Sequence, residues 1–375
     1  MVIPWILLVA AAVAGAQAWL YKRLALKRLD YTRFFSTRKA AYGQTIELVE
    51  TITNMKWLPL PWVRIESLLP AGLDFEQQEN LKISSGSIYQ NHRSLFQLSW
   101  YTKIKRRHRL TCARRGFYRL ETATLTSGDL FGIVSQSKSI PLESELIVLP
   151  EILDIRELQL PSHSWQGDFV VRRWIVRDPF VISGVREYRS GDPLNWINWK
   201  ATARTGQIQV YQQDFTADRR LLIMLNIEES ENMWRAVTDP ERIERGISIA
   251  ATLAKYAMDH GLETGFVCNG PAADQRGEPV WIMPAAGSAH LDFILEQMAK
   301  LVIERACDTN TLLARLVEER VTGQDMVWIT AFVSERMLAC KQQLEQMGNA
   351  VEIMKLEPVS AEGGEADAAA DRQLA

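Results

Sequence analysis

The sequence predicts a multidomain protein with an N-terminal transmembrane helix, a β-sandwich-like domain and a doubly wound α/β domain. Three observations predict this order. Residues 2–21 are uncharged, residues 41–150 alternate polar and apolar side chains in short runs, and residues 216–358 alternate short apolar runs with helical patterns. The chain has 375 residues, which is long enough for two or three domains.

The composition excludes several classes. Apolar residues make up 47% of the chain and charged residues 23%, so neither disorder nor coiled coil describes the whole chain. The 43 basic and 45 acidic side chains nearly cancel, which argues against polyanion binding by overall charge. No Cys-x-x-Cys pair, P-loop, dinucleotide glycine fingerprint or His-Glu-x-x-His occurs. We therefore expect no enzyme, no catalytic residues and no cofactor.

Residues 1–22 are predicted to be a membrane anchor that contacts the lipid bilayer through residues 2–21. Trp5 and Trp19 stand near the two ends, where indole prefers the membrane interface. A basic cluster follows at Lys22, Arg23, Lys27 and Arg28. The positive-inside rule then predicts a single-pass protein of the cell membrane, with its N-terminus outside and the bulk of the chain cytoplasmic. Residues 23–40 are predicted to be a basic juxtamembrane linker.

Two other interpretations of the first residues stay open. Ala16-Gln17-Ala18 resembles the cleavage site of a signal peptide. Against this, no lysine or arginine precedes the apolar run, and the basic cluster lies on the wrong side for translocation. A buried core helix is the least favoured interpretation, because a cluster of basic residues follows the apolar residues directly.

Residues 41–150 are predicted to form the β-sandwich-like domain. Residues 45–52 and 62–66 alternate with period two, as half-buried strands do. The same pattern recurs at residues 95–104, 117–125 and 146–149, with Gly-containing turn signals between the runs. No helical pattern interrupts them, which favours a small sandwich or barrel.

A basic stretch with no acidic residue lies within this domain at residues 103–119. Its cations are Lys103, Lys105, Arg106, Arg107, Arg109, Arg114, Arg115 and Arg119. Three interpretations stay open: solvated strands whose cations protect a sheet edge, a surface close to anionic lipid, and a nucleic-acid surface. The upstream anchor makes nucleic acid the least favoured of the three.

Residues 151–215 are predicted to be a linker followed by a charged, Trp-containing signature segment, residues 184–206. Asp192 is expected to cap a short helix that begins at Pro193, runs to about Arg204 and stops at Gly206. One face of this predicted helix carries Trp196, Trp199, Lys200 and Ala203.

The candidate binding residues all lie in this segment, which is either a docking surface or an internal ion-pair and turn network. They are Arg186, Glu187, Tyr188, Gly191, Asp192, Trp199, Lys200 and Arg204. Arg and Trp suit both interpretations, because they dominate interface energetics and also stabilise packed turns. The segment contains no His and no Cys, so it cannot supply a nucleophile with its base.

Residues 216–358 are predicted to be the α/β domain, and residues 359–375 a disordered tail. The predicted strands are 221–225, 265–268, 326–330 and 351–355, and the predicted helices are 240–258, 291–303 and 335–347. Strands alternating with helices indicate a doubly wound, mostly parallel sheet.

The signature segment resembles the bacterial family known as domain of unknown function 58. The resemblance is carried by Gly184-Val-Arg-Glu-Tyr-Arg-Ser-Gly-Asp-Pro193, by Ile197-Asn-Trp-Lys-Ala201, and by Ala203-Arg204 with Gly206. Upstream, residues 113–118 and 128–132 also look like that family's β-domain. Relatives commonly place an Arg near residues 194–195, where this chain has Asn195.

The resemblance implies a von Willebrand factor type A-like α/β domain. Such domains bind a divalent ion through Asp-x-Ser-x-Ser after the first strand, and the matching positions here are Asn226, Glu228 and Ser230. No Asp follows Thr330-Ala331 after a later strand. We therefore expect a degenerate site with no tight metal binding, which serves as a contact for partners.

The resemblance also implies a function. It is that of a membrane-anchored, non-enzymatic adaptor or scaffold that works with a MoxR-type AAA+ ATPase in assembly or maturation of protein complexes at the cell envelope. Two alternatives stay open. One is an envelope-associated enzyme with an unrecognised active site, and the other is a lipid- or nucleic-acid-binding module that uses residues 103–119.

Overall fold

A computed structural model of the chain describes residues 2–75, 81–85, 89–155, 182–188, 194–213, 220–231, 233 and 237–358. Two compact units divide the chain. One comprises residues 1–151 with 295–300, and the other comprises residues 152–294 with 301–375. The predicted disordered tail and the predicted cap Asp192 lie outside the described residues.

Helix α1, Val2–Leu24, opens the first unit. Over Ile3–Leu24 it is long and apolar enough to cross a membrane. Most of its apolar side chains are exposed, but Tyr21 is buried in the hydrophobic core of the first unit. The Tyr21 hydroxyl donates a hydrogen bond to the carbonyl of Pro59 at 3.0 Å. The C-terminal end of the helix is therefore part of the β-domain core.

The strands that follow are β1 Leu29–Phe35, β2 Lys39–Ala40, β3 Thr45–Asn54, β4 Leu60–Pro70, β5 Leu73–Phe75, β6 Leu81–Ser85, β7 Tyr89–Leu98, β8 Lys103–Cys112, β9 Gly116–Gly128 and β10 Ser135–Val148. They form one sheet in the order β1-β3-β8-β5 and a second in the order β2-β10-β9-β4-β7-β6. Neighbouring strands are antiparallel, except that β2 and β10 are parallel. The predicted β-rich region is confirmed.

Alternation of polar and apolar side chains explains why these segments become strands. In β1 every second residue is buried, so Tyr31 and Phe35 enter the core while their neighbours face solvent. The core also takes its largest side chains from other strands, among them Leu48, Ile65 and Phe96.

Two sequence-based expectations in this unit are wrong. Residues 29–40 were predicted to be linker, but they contain β1 and β2, because every second residue of β1 is buried, Arg33 included. Residues 95–104 were predicted to be one strand, but a turn at residues 99–102 separates β7 from β8. Tyr101 in this turn has a φ of 50°, a left-handed conformation that no strand residue adopts.

The signature segment forms a small element of its own. Strand β11, Ile182–Glu187, pairs antiparallel with β12, Gln209–Gln213. Between them lie a 3₁₀ turn at Leu194–Trp196 and helix α2 at Trp199–Thr205. The predicted single helix over residues 193–204 is therefore two shorter pieces.

The α/β elements are β13 Arg220–Leu225, α3 Pro240–Asp259, β14 Glu263–Ala272, β15 Gln275–Ala285, α4 Ser288–Lys300, α5 Thr309–Glu318, β16 Gln324–Thr330, α6 Glu335–Gln346 and β17 Ala350–Lys355. The sheet order is β15-β14-β13-β16-β17, and only the β14–β15 pair within this sheet is antiparallel. The predicted α/β arrangement is confirmed. Strand β15 and helix α5 were not predicted from the sequence.

Helices cover both faces of this sheet. Leu312 of α5 and Met337 of α6 share a buried cluster with Trp328 of β16. On the opposite face, α3 lies so close to the sheet that a Cβ on Gly246 would stand 3.1 Å from Leu225. The central strands are therefore buried on both faces, which explains their uninterrupted apolar sequence.

Candidate functional site

The candidate site of the α/β unit lies where β13, β14 and β16 end side by side. Asn226 follows β13 directly, Asn269 lies in β14 and Thr330 ends β16, and all three are fully buried. The strand register explains this proximity, because Leu225 pairs with both Cys268 and Ile329. Polar residues at the carboxyl ends of neighbouring parallel strands are thereby brought together.

Asn226 is the centre of a hydrogen-bond network. Its amide nitrogen donates to the Thr330 hydroxyl at 3.0 Å. Its amide oxygen accepts from Asn269 Nδ2 at 2.9 Å, from the Glu228 backbone N–H at 3.0 Å and from the Thr309 hydroxyl at 2.6 Å. Both ends of the Asn226 side chain are therefore satisfied by the protein itself.

Glu228 lies beside this network and is 2% exposed. Its Oε1 accepts from Arg305 Nη1 at 3.0 Å, and its Oε2 lies 2.5 Å from the Thr309 hydroxyl and 3.4 Å from the Thr309 backbone N–H. Thr309 is the first residue of α5, where a carboxylate is favoured by the helix dipole. A buried carboxylate is thus compensated by one guanidinium and one helix N-terminus.

The donor chemistry of this site does not suit a divalent ion. Such ions prefer several free carboxylate or carbonyl oxygens. Here the oxygens of Asn226 and Glu228 already accept hydrogen bonds, and Arg305 supplies the positive charge. Ser230 is exposed. Within the described ranges, no group of three or more His, Cys, Asp or Glu side chains could hold a metal ion.

The structure places the signature residues only in part. Gly191 and Asp192 lie outside the described residues, while Arg186 and Glu187 end strand β11. Arg186 Nη1 donates to the Glu187 carbonyl at 3.0 Å. Tyr188 follows, and its N–H donates to the carbonyl of Ile208 at 2.9 Å.

Helix α2 begins after the cap Asn198, which was not predicted, and its predicted stop at Gly206 is confirmed. Asn198 Oδ1 accepts from the Ala201 N–H at 3.0 Å, and Gly206 ends the helix with a φ of 72°. Trp196 lies in the 3₁₀ turn, so the predicted shared helical face is wrong in that residue. The helix itself exposes Trp199, Lys200 and Arg204.

A second group of buried polar residues lies inside the β-sandwich, and the sequence analysis missed it. The Tyr31 hydroxyl donates to Glu50 Oε1 at 2.7 Å, and the Ser94 hydroxyl donates to Glu50 Oε2 at 3.2 Å. His108 Nε2 lies 3.2 Å from the same oxygen. The only sequence signal is that these residues fall at positions where the strand alternation predicts buried side chains.

Burial and charge shift the pKa values in this group. Burial alone would raise the pKa of Glu50. The hydrogen bond from His108, the charge of Arg33 and the hydrogen bond from Tyr31 lower it by more than burial raises it, so the pKa of Glu50 lies below the usual range. Burial, and then the charge of Arg33, lowers the pKa of His92 to about 3. At neutral pH Glu50 is therefore an anion and His92 is neutral.

The basic stretch 103–119 spans both sheets, because β8 belongs to the four-stranded sheet and β9 to the six-stranded sheet. In β8 the cations at alternating positions face outward, and the residues between them face the core. Arg107 lies 3.5 Å from Glu47 across the sheet, and Arg119 Nε donates to Glu145 at 2.9 Å. Part of the positive charge is therefore paired locally, on a solvent-facing surface.

The architecture defines the class of the protein at a coarse level: an apolar N-terminal helix, a β-rich unit and an α/β unit with a polar carboxyl edge. Residues 184–361 match the model of the family described as protein of unknown function DUF58. This match agrees with the resemblance indicated by the signature segment, and that expectation is confirmed.

A distant relative extends the similarity upstream. The uncharacterised protein YeaD of Bacillus subtilis (strain 168) is 20% identical over 343 residues, which is 90% of this chain and 78% of that protein. This similarity agrees with the family match and adds no activity.

Solved structures resemble the chain only weakly. A non-cellulosomal cohesin from the archaeon Archaeoglobus fulgidus is 12% identical with a TM-score of 0.22, covering 32% of this chain and 91% of that chain. Alpha-2-macroglobulin from Escherichia coli is 14% identical with a TM-score of 0.25, covering 33% of this chain and 24% of that chain. TM-scores this low carry no argument about fold or function.

Proposed function

We propose that the protein is a single-pass, membrane-anchored, non-enzymatic adaptor or scaffold. The observation that carries the proposal is the contrast along α1. The apolar side chains of residues 3–13 are exposed, whereas Tyr21 is buried in the β-domain core. A long exposed apolar helix is stable when lipid surrounds it, because its backbone hydrogen bonds are satisfied internally.

The charge distribution supports a cytoplasmic location for the bulk of the chain. The helix ends with Lys22 and Arg23, and Lys27 and Arg28 follow within one turn. Cations at one end of a membrane span stay on the cytoplasmic side. The N-terminus is then outside.

The α/β unit is proposed to be type A-like and to bind a partner without metal. Its support is the polar carboxyl edge around Asn226 and Glu228, the edge at which open α/β sheets bind their ligands. Because Arg305 and Thr309 satisfy Glu228, this edge needs no ion to be stable. The half-exposed guanidinium of Arg305 is the polar group that a partner would meet.

The signature segment supplies a second surface for the same proposed role. Leu194 is 73% exposed and Trp199 is 71% exposed, and Lys200 and Arg204 are exposed on the same short helix as Trp199. A large exposed aromatic residue beside cations is typical of the residues that dominate protein interfaces. The partner proposed from the family resemblance is a MoxR-type AAA+ ATPase, in assembly or maturation of complexes at the cell envelope.

The proposal is tested by isolating the full-length protein from membranes and asking which proteins come with it in the presence of ATP. We expect a MoxR-type AAA+ ATPase, and we expect Trp199→Ala to reduce its recovery at least severalfold. Loss of one interface aromatic typically weakens binding by about 2 kcal/mol or more.

A matched control is Leu338→Ala, which removes another exposed large apolar side chain of the α/β unit, on α6. Recovery with this variant should equal that of the unchanged protein. Absence of any AAA+ ATPase from the isolated complexes would contradict the partner. Equal losses in both variants would contradict the assignment of the surface to Trp199.

A further inference from the structure

The β-sandwich ends in three loops on the side where α1 enters it. These loops are residues 55–59, 99–102 and 129–134, and we call them together the apolar loop end. Asn54 Nδ2 donates to the Leu58 carbonyl at 3.0 Å and to the Ser99 carbonyl at 2.8 Å, which joins the first two loops. Trp62 Nε1 donates to the Asp129 carbonyl at 3.2 Å, which fixes the third loop beside the start of β4.

The apolar loop end contacts the C-terminal end of α1 and the residues just after it. Tyr21 of α1 donates to the carbonyl of Pro59, and the Met55 N–H donates to the carbonyl of Arg28 at 3.0 Å. Helix α1 also contacts β9, the strand that leads into the third loop. These contacts all belong to the first unit, so they are part of one compact body.

This end exposes an unusual amount of apolar surface. Six of its large side chains are between 60% and 70% exposed: Trp57, Trp100, Tyr101, Leu130, Phe131 and Ile133. Scattered exposed apolar residues are ordinary, but six of them on three loops at one end of a domain mark a surface that another apolar phase covers.

The loops hold these side chains outward rather than letting them fold back. The Asp129 carboxylate is buried and accepts from the Val134 N–H at 2.8 Å and from the Phe131 N–H at 3.3 Å, which closes the third loop. Gly132 has a φ of 73°, as this tight turn requires. Tyr101 N–H donates to the Lys56 carbonyl at 3.1 Å, which fixes the second loop.

The position of the loop end along α1 identifies what covers it. The apolar span runs over Ile3–Leu24, yet Leu20, Tyr21 and Leu24 already pack against the β-domain core. The last turn of the span therefore lies inside the domain, about 6 Å of helix rise from Leu20 to Leu24. When α1 crosses a bilayer, this overlap brings the apolar loop end to the level of the lipid headgroups.

We propose that the apolar loop end is inserted into the interfacial layer of the bilayer, in the leaflet from which α1 leaves the membrane. This inference rests on the proposed anchoring by α1. Three of the six exposed side chains are Trp or Tyr, the residues that prefer the membrane interface, and the other three are Leu, Phe and Ile.

Cations at the same end suit phospholipid headgroups. Lys22, Arg23, Lys27 and Arg28 lie at or just beyond the end of α1. Lys56 lies in the first loop, and its Nζ has no hydrogen-bond partner among the described residues. Because Lys56 is buried, contact with headgroups falls to the four exposed cations at and just beyond the end of α1.

The experiment measures depth in the membrane with the full-length chain in phosphatidylcholine–phosphatidylglycerol vesicles. A fluorophore is attached to Phe131→Cys at the loop end, to Leu68→Cys as a matched exposed site, and to Val9→Cys within α1. Leu68 lies eight residues along β4 from its start, about 27 Å from the loop end. Quenching by nitroxide-labelled lipids is compared with quenching by aqueous iodide, after subtracting the signal of the labelled unsubstituted chain.

We expect nitroxide lipids to quench the probe at residue 131 severalfold more than the probe at residue 68, and iodide to do the reverse. Equal lipid quenching at these two sites, with strong quenching at residue 9, would overturn the inference and leave the anchor intact. Weak lipid quenching at all three sites would overturn the anchor as well. Shielding of residue 131 from both quenchers would mean that protein covers the loop end, which also overturns the inference.

Discussion

The two units each bury a carboxylate, and they compensate it differently. Glu50 lies between the two sheets of the β-sandwich and is surrounded by Tyr31, Ser94 and His108. Glu228 lies at the edge of the α/β sheet, and its cation Arg305 keeps 31% of its side chain exposed. The first arrangement is closed, whereas the second leaves a charged group in contact with solvent.

The largest loss of stability should come from removing the buried carboxylate of Glu50, the acceptor of the closed cluster formed with Tyr31, Ser94 and His108. Glu50→Ala leaves three polar groups without their acceptor and leaves the nearby charge of Arg33 uncompensated in the core. Removing one partner of a buried charged network typically destabilises a protein by about 3–5 kcal/mol. Hydrogen exchange of the β3 and β8 amides in the full-length protein measures this loss for the β-sandwich unit directly.

The matched control is Glu47→Ala, on the same strand but with an exposed ion pair to Arg107. Its effect should stay below about 1 kcal/mol, because water screens exposed pairs. Similar losses for Glu50→Ala and Glu47→Ala would contradict the distinction between the closed cluster and a surface pair.

Acid should destabilise the β-sandwich unit next most strongly. An exposed imidazole titrates near pH 6.5, but the pKa of His92 in the fold is about 3, and the pKa of Glu50 is also lowered. The unfolded chain therefore binds more protons as the pH falls. Stability is fully present above about pH 6.5 and is lost progressively toward pH 3. Amide exchange of the β-sandwich at a series of pH values measures this slope.

His92→Gln separates the two contributions to that slope, because glutamine does not titrate. The variant should flatten the loss of stability just below pH 6.5, while the loss due to Glu50 remains at lower pH. A slope unchanged by His92→Gln would show that His92 is not held neutral in the fold.

At the Glu228–Arg305 pair of the α/β unit, Arg305→Ala should lower the free energy of unfolding by a smaller amount, about 1–3 kcal/mol. The change leaves the buried Glu228 without its guanidinium, but the arginine is part-exposed and water can replace some of its hydrogen bonds. Thermal unfolding of the α/β unit checks this value. Added Mg²⁺ or a chelator should not shift the unfolding of the unchanged protein, since the oxygens of the site are already used.

Arg315→Ala provides the comparison for that change, because Arg315 pairs with Glu319 on the exposed surface of α5. Its guanidinium also lies 4.3 Å from the centre of the Trp281 ring, so we expect a loss of about 1 kcal/mol or less. A rise in stability on adding Mg²⁺ to Arg305→Ala would show that the arginine occupies a position where a divalent ion can bind.

Among the changes at the two buried carboxylates, the smallest loss of stability should come from Thr309→Val, which keeps the shape of the side chain and removes its hydroxyl. That hydroxyl lies 2.6 Å from Asn226 Oδ1 and 2.5 Å from Glu228 Oε2, and its loss should cost about 1–2 kcal/mol. Thr309→Ser retains the hydroxyl and should recover most of the difference. Equal unfolding temperatures for the valine and serine variants would contradict this role.

The alternation and helical periodicity of apolar residues were enough to predict most strands and helices. The prediction failed where a strand contains a residue type that is uncommon in strands or in protein cores. Strand β3 follows its alternation closely, whereas β1 carries Arg33, a cation that is typical of linkers but is buried here. Strand β15 contains Gly277 and Pro279, which disfavour a strand prediction and are tolerated at the edge of this sheet.

The candidate site shows the same limit. Asn226 and Glu228 were predicted because they follow an apolar strand directly. Arg305 and Thr309 lie 77 and 81 residues beyond Glu228 in sequence, so no local pattern connects them with it. Only the pairing of the parallel strands brings these groups together, and sequence periodicity carries no information about which distant loop meets which strand end.

The buried Tyr21 has a mechanical consequence. Since α1 and the β-sandwich share one core, the helix is not a flexible tether from which the sandwich hangs. A change in tilt or rotation of α1 must turn the sandwich with it, and a force applied to the sandwich is transmitted directly into the span. Under the proposed anchoring, the described part of the β-sandwich would therefore follow any movement of the helix.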